Sequence, residues 1–385
     1  MCTKWKGEVE TPWADKNIRG GFLTNRILVH CDLDAFFAAV EVLHHGLNPD
    51  IPLIIGSDPK QGSGRGIVST CNYAARRFGI RSAMSISEAW RRCPAAPYGP
   101  GVYIRGTRGL YSRASRKVME ILRAASDEFE QAGIDEAYLD ITERCGNDWD
   151  NAYAMVRKMQ NDIEKTIGLT ASFGIAPTKI IAKMSSEEKK PRGIFRVLPN
   201  EIADFFEGRS VRQVPGIGPK TATHLSEWGL ETVDELYRLG SIGLQRLLNE
   251  RFADWIIQLF EGTTTNRLHP LSYRKSIGKE HTFAKDMLDV EVVIQSLHSL
   301  LERTVKELNE AQAGARVIEV KIRYMDFETY THQRSIPVPM DDYEVFLRLA
   351  TTLFAQNIEI ERPIRLIGVR LGQLEFLTYR QETLL

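Results

Sequence analysis

Apolar and polar positions alternate along the first half of the chain at two periods, which distinguish strands from helices. Short runs of β-branched and other apolar residues predict buried strands at 26–31, 53–55, 66–70 and 169–175. Apolar residues recur at helical spacing at 35–42, 72–78, 84–93, 106–125, 150–167 and 177–184. The order of these elements predicts an antiparallel or mixed sheet backed by two long helices, with an insertion at about 43–97.

The second half of the chain changes character twice. From about residue 197 it contains short helices separated by glycine and proline, and a polar stretch at 268–276 resembles a linker. Beyond the linker, helical and strand periods predict two helices and two strands, at 290–308, 343–355, 317–324 and 364–371. We find no internal repeat. The chain is therefore expected to be an α+β protein of several domains that ends in a small α+β domain.

Length and composition are those of a globular protein. The chain has 385 residues, with 43% hydrophobic and 26% charged residues, which allows roughly two to four domains. No apolar stretch reaches the ~18 residues that span a bilayer, and the N-terminus lacks the apolar core of a signal peptide. Five cysteines without metal-type spacing argue against a disulfide framework. We expect a cytoplasmic protein without a membrane partner.

Charge is balanced overall but segregated along the chain. The 50 basic residues equal the 50 acidic residues, which is unlike a simple basic nucleic-acid binder. Two tracts, 60–92 and 267–285, are nevertheless rich in arginine and lysine. Such tracts indicate either a basic cleft on an otherwise acidic body or solvated helix faces.

Carboxylates stand where two predicted strands end. Asp32 and Asp34 follow the strand at 26–31, and Asp135 and Glu136 lie about a hundred residues later in a second β-prone run that ends at Asp140. An unpaired ionised carboxylate is costly to bury, and a divalent metal with oxygen ligands would offset that cost. Alternatively, either acid group caps a helix or faces water. Together they predict a two-metal site for phosphoryl displacement and hence a nucleotidyltransferase.

Four runs of sequence resemble, in order, the motifs of the Y-family (translesion) DNA polymerases, with DinB as the most similar subgroup. They are DLDAFFAAVE at 32–41, STCNYAAR at 69–76, IDEAYLD at 134–140 and the run 179–193. VPGIG at 214–218 and RKSIG at 274–278 extend the resemblance, which spans about 26–371. It implies a right-hand polymerase with a ferredoxin-like palm, small fingers, a helical thumb with a helix-hairpin-helix, and a C-terminal α+β little finger.

The resemblance also implies domain boundaries. We expect an N-terminal extension at 1–25 on or near the palm, and a C-terminal tail at 373–385. Between them we expect the palm at 26–42 and 98–190, the fingers at 43–97, the thumb at 191–267, the linker at 268–276 and the little finger at 277–372.

The catalytic and metal-binding residues follow from the same resemblance. Asp32, Asp135 and Glu136 are expected to bind two Mg²⁺ ions, for which Mn²⁺ is expected to substitute, with the backbone carbonyl of Leu33 as a further ligand. Asp34 and Asp140 are expected to support neighbouring groups or cap a helix rather than bind metal.

Further residues are assigned to the incoming nucleotide. Tyr73 and Arg76 lie three apart on a predicted helix and so share a face. The resemblance implies that they contact the triphosphate together with Lys183. Phe37 is expected to exclude the 2′-hydroxyl of a ribonucleotide. Phe36 and Thr70 are also assigned to nucleotide binding, and the side chain of Phe36 is expected to lie in the core. Ser69, Thr70 and Ala83 are expected to form a loose cover over the nascent base pair. Alternatively, these three small residues serve ordinary strand packing.

DNA contacts are expected in the thumb and beyond the linker. VPGIGPK at 214–220 has the form of a helix-hairpin-helix, in which glycines and the N-terminus of the next helix contact phosphate. The residues assigned to DNA binding are Gly216, Gly218, Lys220, Lys275 and Ser276. The segment that starts at Gln373 resembles a peptide that docks on a sliding clamp, or is simply the end of the last strand.

We therefore expect a monomeric, Mg²⁺-dependent, template-directed DNA polymerase of low fidelity that acts in translesion synthesis on primer-template DNA and dNTPs. Two alternatives remain. A nucleotide cyclase would use similar carboxylates but would not need the hairpin at 214–220. An inactive DNA-binding scaffold would be expected to lack a metal ligand, and all three acids are present.

Overall fold

The computed structural model describes residues 26–107, 109–264, 267–269 and 274–376. The chain divides into two units, residues 1–272 and 273–385. The expected N-terminal extension at 1–25 lies outside the described residues, as do residues 270–273 of the expected linker. Among the helices in the described ranges, none has both the length and the apolar character needed to cross a bilayer.

A five-stranded sheet forms the centre of the first unit. Its strands are β1 (Leu28–Leu33), β5 (Glu128–Gln131), β6 (Glu136–Asp140), β7 (Ala171–Ala176) and β8 (Ile194–Arg196). They lie in the order β5-β6-β1-β7-β8, and all neighbours are antiparallel except β7 and β8. Since β8 belongs to this sheet, the sheet continues beyond residue 190, where the palm was expected to end.

Helices cover both faces of this sheet. Helices α4 (Leu110–Ala124) and α5 (Trp149–Ile167) share a buried apolar core with Val29, Cys31 and Leu33, the alternate residues of β1. Helix α6 (Lys179–Glu187) packs on β1 and β7 from the other side, where the polar residues His30 and Asp32 point. The strand alternation thus separates an apolar face from a polar one.

A smaller subdomain is inserted after α1 (Phe36–His45). Its sheet has the order β3-β2-β4. The elements are β2 (Leu53–Gly56), a 3₁₀ helix (Lys60–Gly62), β3 (Val68–Cys71), α2 (Tyr73–Arg76), α3 (Ile86–Arg92) and β4 (Val102–Ile104). Strand β4 pairs with β2, so the insertion's sheet includes residues beyond 97, the expected end of the fingers.

The end of the first unit is helical, as the glycine and proline punctuation predicts. Its residues share an apolar core with Ile181 and Met184 of α6. The elements are 3₁₀ helices at Pro199–Glu201 and Val211–Gln213, and α7 (Ile202–Phe206), α8 (Pro219–Glu227), α9 (Val233–Leu247) and α10 (Glu250–Glu261).

The second unit is a four-stranded antiparallel sheet covered on one face by two helices. The strands lie in the order β11-β10-β12-β9. The elements are β9 (Ser276–Met287), α11 (Val290–Glu310), β10 (Ala313–Tyr324), β11 (Thr329–Met340), α12 (Tyr343–Asn357) and β12 (Ile364–Phe376). Buried apolar residues of α11 and α12 pack on alternate residues of β10 and β12, which leaves the other face of the sheet to polar side chains.

Candidate active site

The pairing of β1 with β6 brings two of the predicted metal ligands together. Asp32 lies directly opposite Glu136 in the antiparallel register, so both side chains point to the same face of the sheet. Asp135 immediately precedes β6, and its carbonyl accepts a hydrogen bond from the amide of Leu33 at 3.0 Å. The turn that enters β6 is tight, since a Cβ atom on Gly133 would lie 2.9 Å from Cγ of Glu136.

Two lysines neutralise this pair of carboxylates. Nζ of Lys190 lies 2.6 Å from Oδ1 of Asp32 and also 2.6 Å from Oε1 of Glu187. Lys183, on α6, forms an ion pair with Glu136. The side chains of Lys190 and Asp32 are only 18% and 20% exposed, so water screens their attraction less than on an open surface.

Burial and charge set the protonation of the three acids. Burial raises the pKa of Asp32, and the ammonium of Lys190 partly offsets that effect. The pKa of Asp135 is also raised, chiefly by burial and further by the nearby charge of Glu136. By contrast, the pKa of Glu136 is lowered to about 2, first by its hydrogen bond with His30 and then, against the effect of burial, by Lys183.

A fully buried histidine of the neighbouring strand β1 contacts the carboxylate of Glu136. The ring of His30 lies between Oγ of Ser186, 2.9 Å from Nδ1, and Oε2 of Glu136, 3.3 Å from Nε2. Burial lowers the pKa of His30, while its contact with Glu136 opposes this. His30, Ser186 and Lys183 thus hold Glu136 between β1 and α6.

The donor set on this face of the sheet fits a divalent cation. It consists of carboxylate oxygens, which Mg²⁺ prefers, and burial raises the pKa of both Asp32 and Asp135. Within the ranges described, no three Asp, Glu, His or Cys side chains converge into a closed metal-ligand cluster. Asp32 and Glu136 instead engage Lys190 and Lys183.

The other two acids have structural partners. Asp34 is buried and accepts hydrogen bonds from Oγ of Ser172 at 2.7 Å and from the amide of Arg192 at 2.9 Å. Asp140 is also buried and accepts from the amide of Thr142 at 2.9 Å. Both carboxylates therefore have hydrogen-bond partners within the protein, and their supporting role stays a prediction.

Two of the three residues predicted to contact a triphosphate, Tyr73 and Arg76, lie on α2 directly after β3, and the third, Lys183, lies on α6. The guanidinium of Arg76 lies 4.7 Å from the centroid of the Tyr73 ring, so the two side chains do share a face. The junction of β3 and α2 is held by Asn72, which is 7% exposed. Its Oδ1 accepts from the amides of Leu53 at 3.1 Å and Ala75 at 2.9 Å, and its Nδ2 donates to two carbonyls of the 49–51 loop.

The two phenylalanines at the start of α1 differ in environment. Phe36 is buried in the core of the five-stranded sheet, as expected for its side chain. Phe37 is only partly buried, and its ring stacks on that of Tyr111 with centroids 4.2 Å apart. Phe37 therefore has both a supported face and an accessible part.

The three small residues assigned to the nascent base pair lie in the inserted subdomain. Ser69 is exposed and Thr70 is half-buried on β3, and Ala83 is exposed. The amide of Ala83 donates to the carbonyl of Val68 at 2.9 Å, which brings Ala83 beside β3. Ala83 thus lies next to the strand that carries Ser69 and Thr70, and the role of the three residues stays a prediction.

The hairpin at 214–220 precedes α8 as its sequence predicts. Gly216 has φ of 102°, a conformation that favours glycine, and a Cβ at Gly218 would meet no atom within 4 Å. Pro219 begins α8 and Lys220 is exposed beside it. The open backbone at the N-terminus of α8 is a geometry that attracts anions.

The remaining predicted contacts belong to the second unit. Lys275 is exposed before β9, and Ser276 is the first residue of that strand. Gln373 lies within β12, which runs to Phe376 and pairs there with the start of β10. The first four residues of the expected tail are therefore part of the sheet, and the others lie outside the described residues.

The sequence pattern does not indicate three residues that the fold brings to the site: Lys190, His30 and Asn72. Lys190 lies within the run 179–193 that carries the resemblance, but only the fold shows its contact with Asp32. His30 carries a signal, since it is a polar residue in an apolar strand and two positions before Asp32.

Paired acids and lysines on one face of a five-stranded sheet, with Tyr73 and Arg76 on an inserted subdomain, are the arrangement expected of a metal-dependent nucleotidyltransferase. The chain matches the family described as the impB/mucB/samB family over residues 31–187, and its C-terminal domain over residues 274–384. It is 36% identical over 360 residues to DNA polymerase IV of Methanoculleus marisnigri, which covers 91% of this chain and 95% of that one. With DNA polymerase IV of Streptococcus pneumoniae it shares 36% identity over 349 residues, 90% of this chain and 96% of that one.

Solved structures agree. A Y-family DNA polymerase chimera of Dbh and Dpo4 has a TM-score of 0.82 at 26% identity, and DinB from Sulfolobus solfataricus has a TM-score of 0.62 at 26% identity. Each comparison covers 91% of this chain and 100% of the other. The chain belongs to the Y-family of DNA polymerases, in the DNA polymerase IV group. It is a DNA-directed DNA polymerase that uses divalent metal ions, and the predicted α+β right-hand fold is confirmed.

Proposed function

We propose that Asp32, Asp135 and Glu136 form the catalytic centre at which this polymerase joins a dNTP to a primer 3′-hydroxyl. The observation that carries this proposal is the register of β1 and β6, which sets Asp32 opposite Glu136 on one face with Asp135 beside them. Low-fidelity synthesis across damaged templates is a general property of the family, and this centre would be where it takes place.

Mg²⁺ is the proposed ion, with Mn²⁺ as a substitute. Asp32, Asp135, Glu136 and the carbonyl of Leu33 would hold it, and a pair of such ions supplies stabilisation of both the attacking and the leaving oxygen. The raised pKa values of Asp32 and Asp135 support this assignment, because burial without sufficient positive charge disfavours their ionised forms.

Lysines and an arginine are proposed to bind the triphosphate. The ammonium of Lys190 lies beside Asp32, and that of Lys183 lies beside Glu136. In the working complex we propose that Lys190 turns to the triphosphate, where Arg76 and Tyr73 also bind. Arginine suits this task because its planar group donates two parallel hydrogen bonds to phosphate oxygens, whereas lysine acts as a point charge.

Sugar and base are proposed to be recognised by shape. Phe37 would lie against the 2′ carbon of the incoming sugar and leave no volume for a hydroxyl. Phe36 would support that position from the core. Ser69, Thr70 and Ala83 would cover the nascent base pair loosely, since small side chains provide little steric selection.

Duplex DNA is proposed to bind mainly through phosphates. Gly216, Gly218 and Lys220 would contact one strand at the hairpin, and Lys275 and Ser276 would contact DNA from the second unit. We propose a monomer on primer-template DNA. Docking on a sliding clamp through the segment at Gln373 stays a prediction, and it would require recognition of residues 374–376 in their strand or their release from β10.

Primer extension tests the assignment of the catalytic centre. Wild type, Glu136→Gln and the control Glu128→Gln are given an undamaged primer-template, dNTPs and Mg²⁺. Glu128 lies on β5 and is 47% exposed, so its amide should leave extension unchanged. Loss of extension in Glu136→Gln alone, with primer-template still bound, supports the proposal. Equal extension by all three proteins would refute the assignment of Glu136.

A further inference from the structure

A fully buried carboxylate lies one helical turn behind Phe37. Glu41 is four residues beyond Phe37 on α1 and has no exposed surface. Its Oε1 accepts from the amide of Thr107 at 2.6 Å and from the hydroxyl of Tyr111 at 2.5 Å. Its Oε2 accepts from Oγ1 of Thr107 at 3.0 Å and lies 3.0 Å from Nε2 of His45. A carboxylate that is shielded from water and bonded through both oxygens fixes its partners in place.

The partner that matters for the substrate is Tyr111, in the first turn of α4. Its ring stacks on that of Phe37 with centroids 4.2 Å apart and planes inclined by 20°. The ring of Phe36 lies farther away, with centroids 5.5 Å from Phe37 and 6.3 Å from Tyr111. Tyr111 is therefore the flat support on which the Phe37 ring rests.

The chain leaves room for the Tyr111 hydroxyl. A Cβ atom at Gly106 would lie 2.6 Å from that oxygen, so a larger residue at this position would displace the Tyr111 hydroxyl from its present place beside Glu41. Burial would by itself raise the pKa of Glu41, but the hydrogen bonds from Tyr111 and Thr107 outweigh it and lower that pKa. Burial and Glu41 together raise the pKa of Tyr111. Glu41 is thus kept ionised as the acceptor and Tyr111 neutral as the donor, which is the combination that gives a strong hydrogen bond.

We propose that Glu41 and Tyr111 determine sugar selectivity by holding the ring of Phe37 in the position that excludes a 2′-hydroxyl. This inference rests on the proposed function of Phe37. A ring excludes a hydroxyl only as long as it cannot move into neighbouring space. Tyr111 fills that space, and Glu41 prevents Tyr111 from turning away.

The test is the ratio of kcat/KM for dCTP to kcat/KM for CTP, measured opposite template G. Tyr111→Phe keeps the stacked ring but loses its tether, and Glu41→Gln loses the charge that holds it. Each should lower the ratio about fivefold, through more efficient CTP insertion, while dCTP insertion changes little. Tyr103→Phe is the matched control, because the Tyr103 hydroxyl is also half-buried and donates to the carbonyl of Cys93 at 2.9 Å, away from Phe37.

Phe37→Ala separates this proposal from the function on which it rests. It should lower the ratio about 100-fold, and adding Tyr111→Phe to it should cause no further fall. An unchanged ratio in Tyr111→Phe, together with a large fall in Phe37→Ala, would overturn the role of Tyr111 and leave the sugar-excluding role of Phe37 intact. An unchanged ratio in Phe37→Ala would refute the proposal that Phe37 excludes the 2′-hydroxyl. A fall that adds to that of Phe37→Ala would show that Tyr111 acts independently of Phe37 and would also overturn the proposal.

Discussion

The strongest structural prediction concerns Asn72, which joins three segments near the proposed triphosphate site. Replacement by alanine removes the acceptor of the Leu53 and Ala75 amides and the donor to the carbonyls of Pro49 and Ile51. Loss of the cap of α2 costs about 1 kcal/mol. A buried amide left without a partner, that of Leu53, costs about 1–3 kcal/mol more. The sum is roughly 2–4 kcal/mol of local stability.

Hydrogen–deuterium exchange measures this loss where it arises. Since 1.36 kcal/mol is a factor of ten, exchange at the amides of Leu53 and Ala75 should accelerate about 30- to 900-fold in Asn72→Ala. The KM for dNTP should rise as well, because Tyr73 and Arg76 lie directly on the helix that loses its cap. Asn48→Ala is the control. Its Oδ1 caps the amide of Asp50 at 2.9 Å in the same loop, but Asn48 is exposed.

The expected result for the control is a change within about 0.5 kcal/mol, as for most surface substitutions. Exchange in Asn72→Ala that stays within threefold of the Asn48→Ala rate would contradict the role given to Asn72. It would mean that water or neighbouring groups replace the four hydrogen bonds at little cost.

Removal of the charge at Lys190, Glu136 or Lys220 has a different measurable effect in each case. Lys190→Met should lower kcat/KM for dNTP about 10- to 100-fold in single-nucleotide insertion, whereas Met at its exposed neighbour Lys189 should not. The pKa of Glu136 is about 2 in the folded protein against 4.5 for an unperturbed glutamate, so its ionised form stabilises the fold above pH 4.5 and this stabilisation is lost as pH falls towards 2. In EDTA, Glu136→Gln should therefore unfold more easily than wild type at pH 7. A difference in unfolding free energy between the two proteins that does not narrow between pH 5 and pH 2 would contradict this. Lys220→Ala should reduce the slope of log affinity for duplex DNA against log salt by about one, measured by anisotropy, and an unchanged slope would place Lys220 off the DNA.

The strands and helices that bury apolar residues were predictable from sequence. The strands at 26–31 and 169–175 correspond to β1 and β7, and the helix at 150–167 to α5, because a buried face imposes its period on the sequence. By contrast, β5 and β11 were not predicted. β5 reads Glu-Phe-Glu-Gln and turns only Phe129 inward, and β11 is mostly exposed, so neither carries an apolar period.

The acids of the site were predictable from sequence, whereas their partners in the fold were not. Acids at strand ends indicated a metal site, and the register of β1 with β6 brings Asp32 and Glu136 together. The contact between Lys190 and Asp32 joins residues 158 positions apart, and that between Tyr111 and Glu41 spans 70. Nothing in the local pattern around a lysine or a tyrosine indicates such partners, because they depend on how helices pack on the sheet.

Binding of Mn²⁺ tests most directly whether Asp32, Asp135 and Glu136 form a divalent-metal site. The complex contains a primer ended by a dideoxynucleotide, its template and the matching dNTP, so that no chemistry occurs, and free Mn²⁺ is measured by electron paramagnetic resonance. After subtraction of Mn²⁺ held by nucleotide and DNA alone, wild type and Glu128→Gln should bind about two ions. Asp32→Asn and Glu136→Gln should each lose at least one. Mn²⁺ binding in these two variants equal to that of wild type would contradict the assignment of the site.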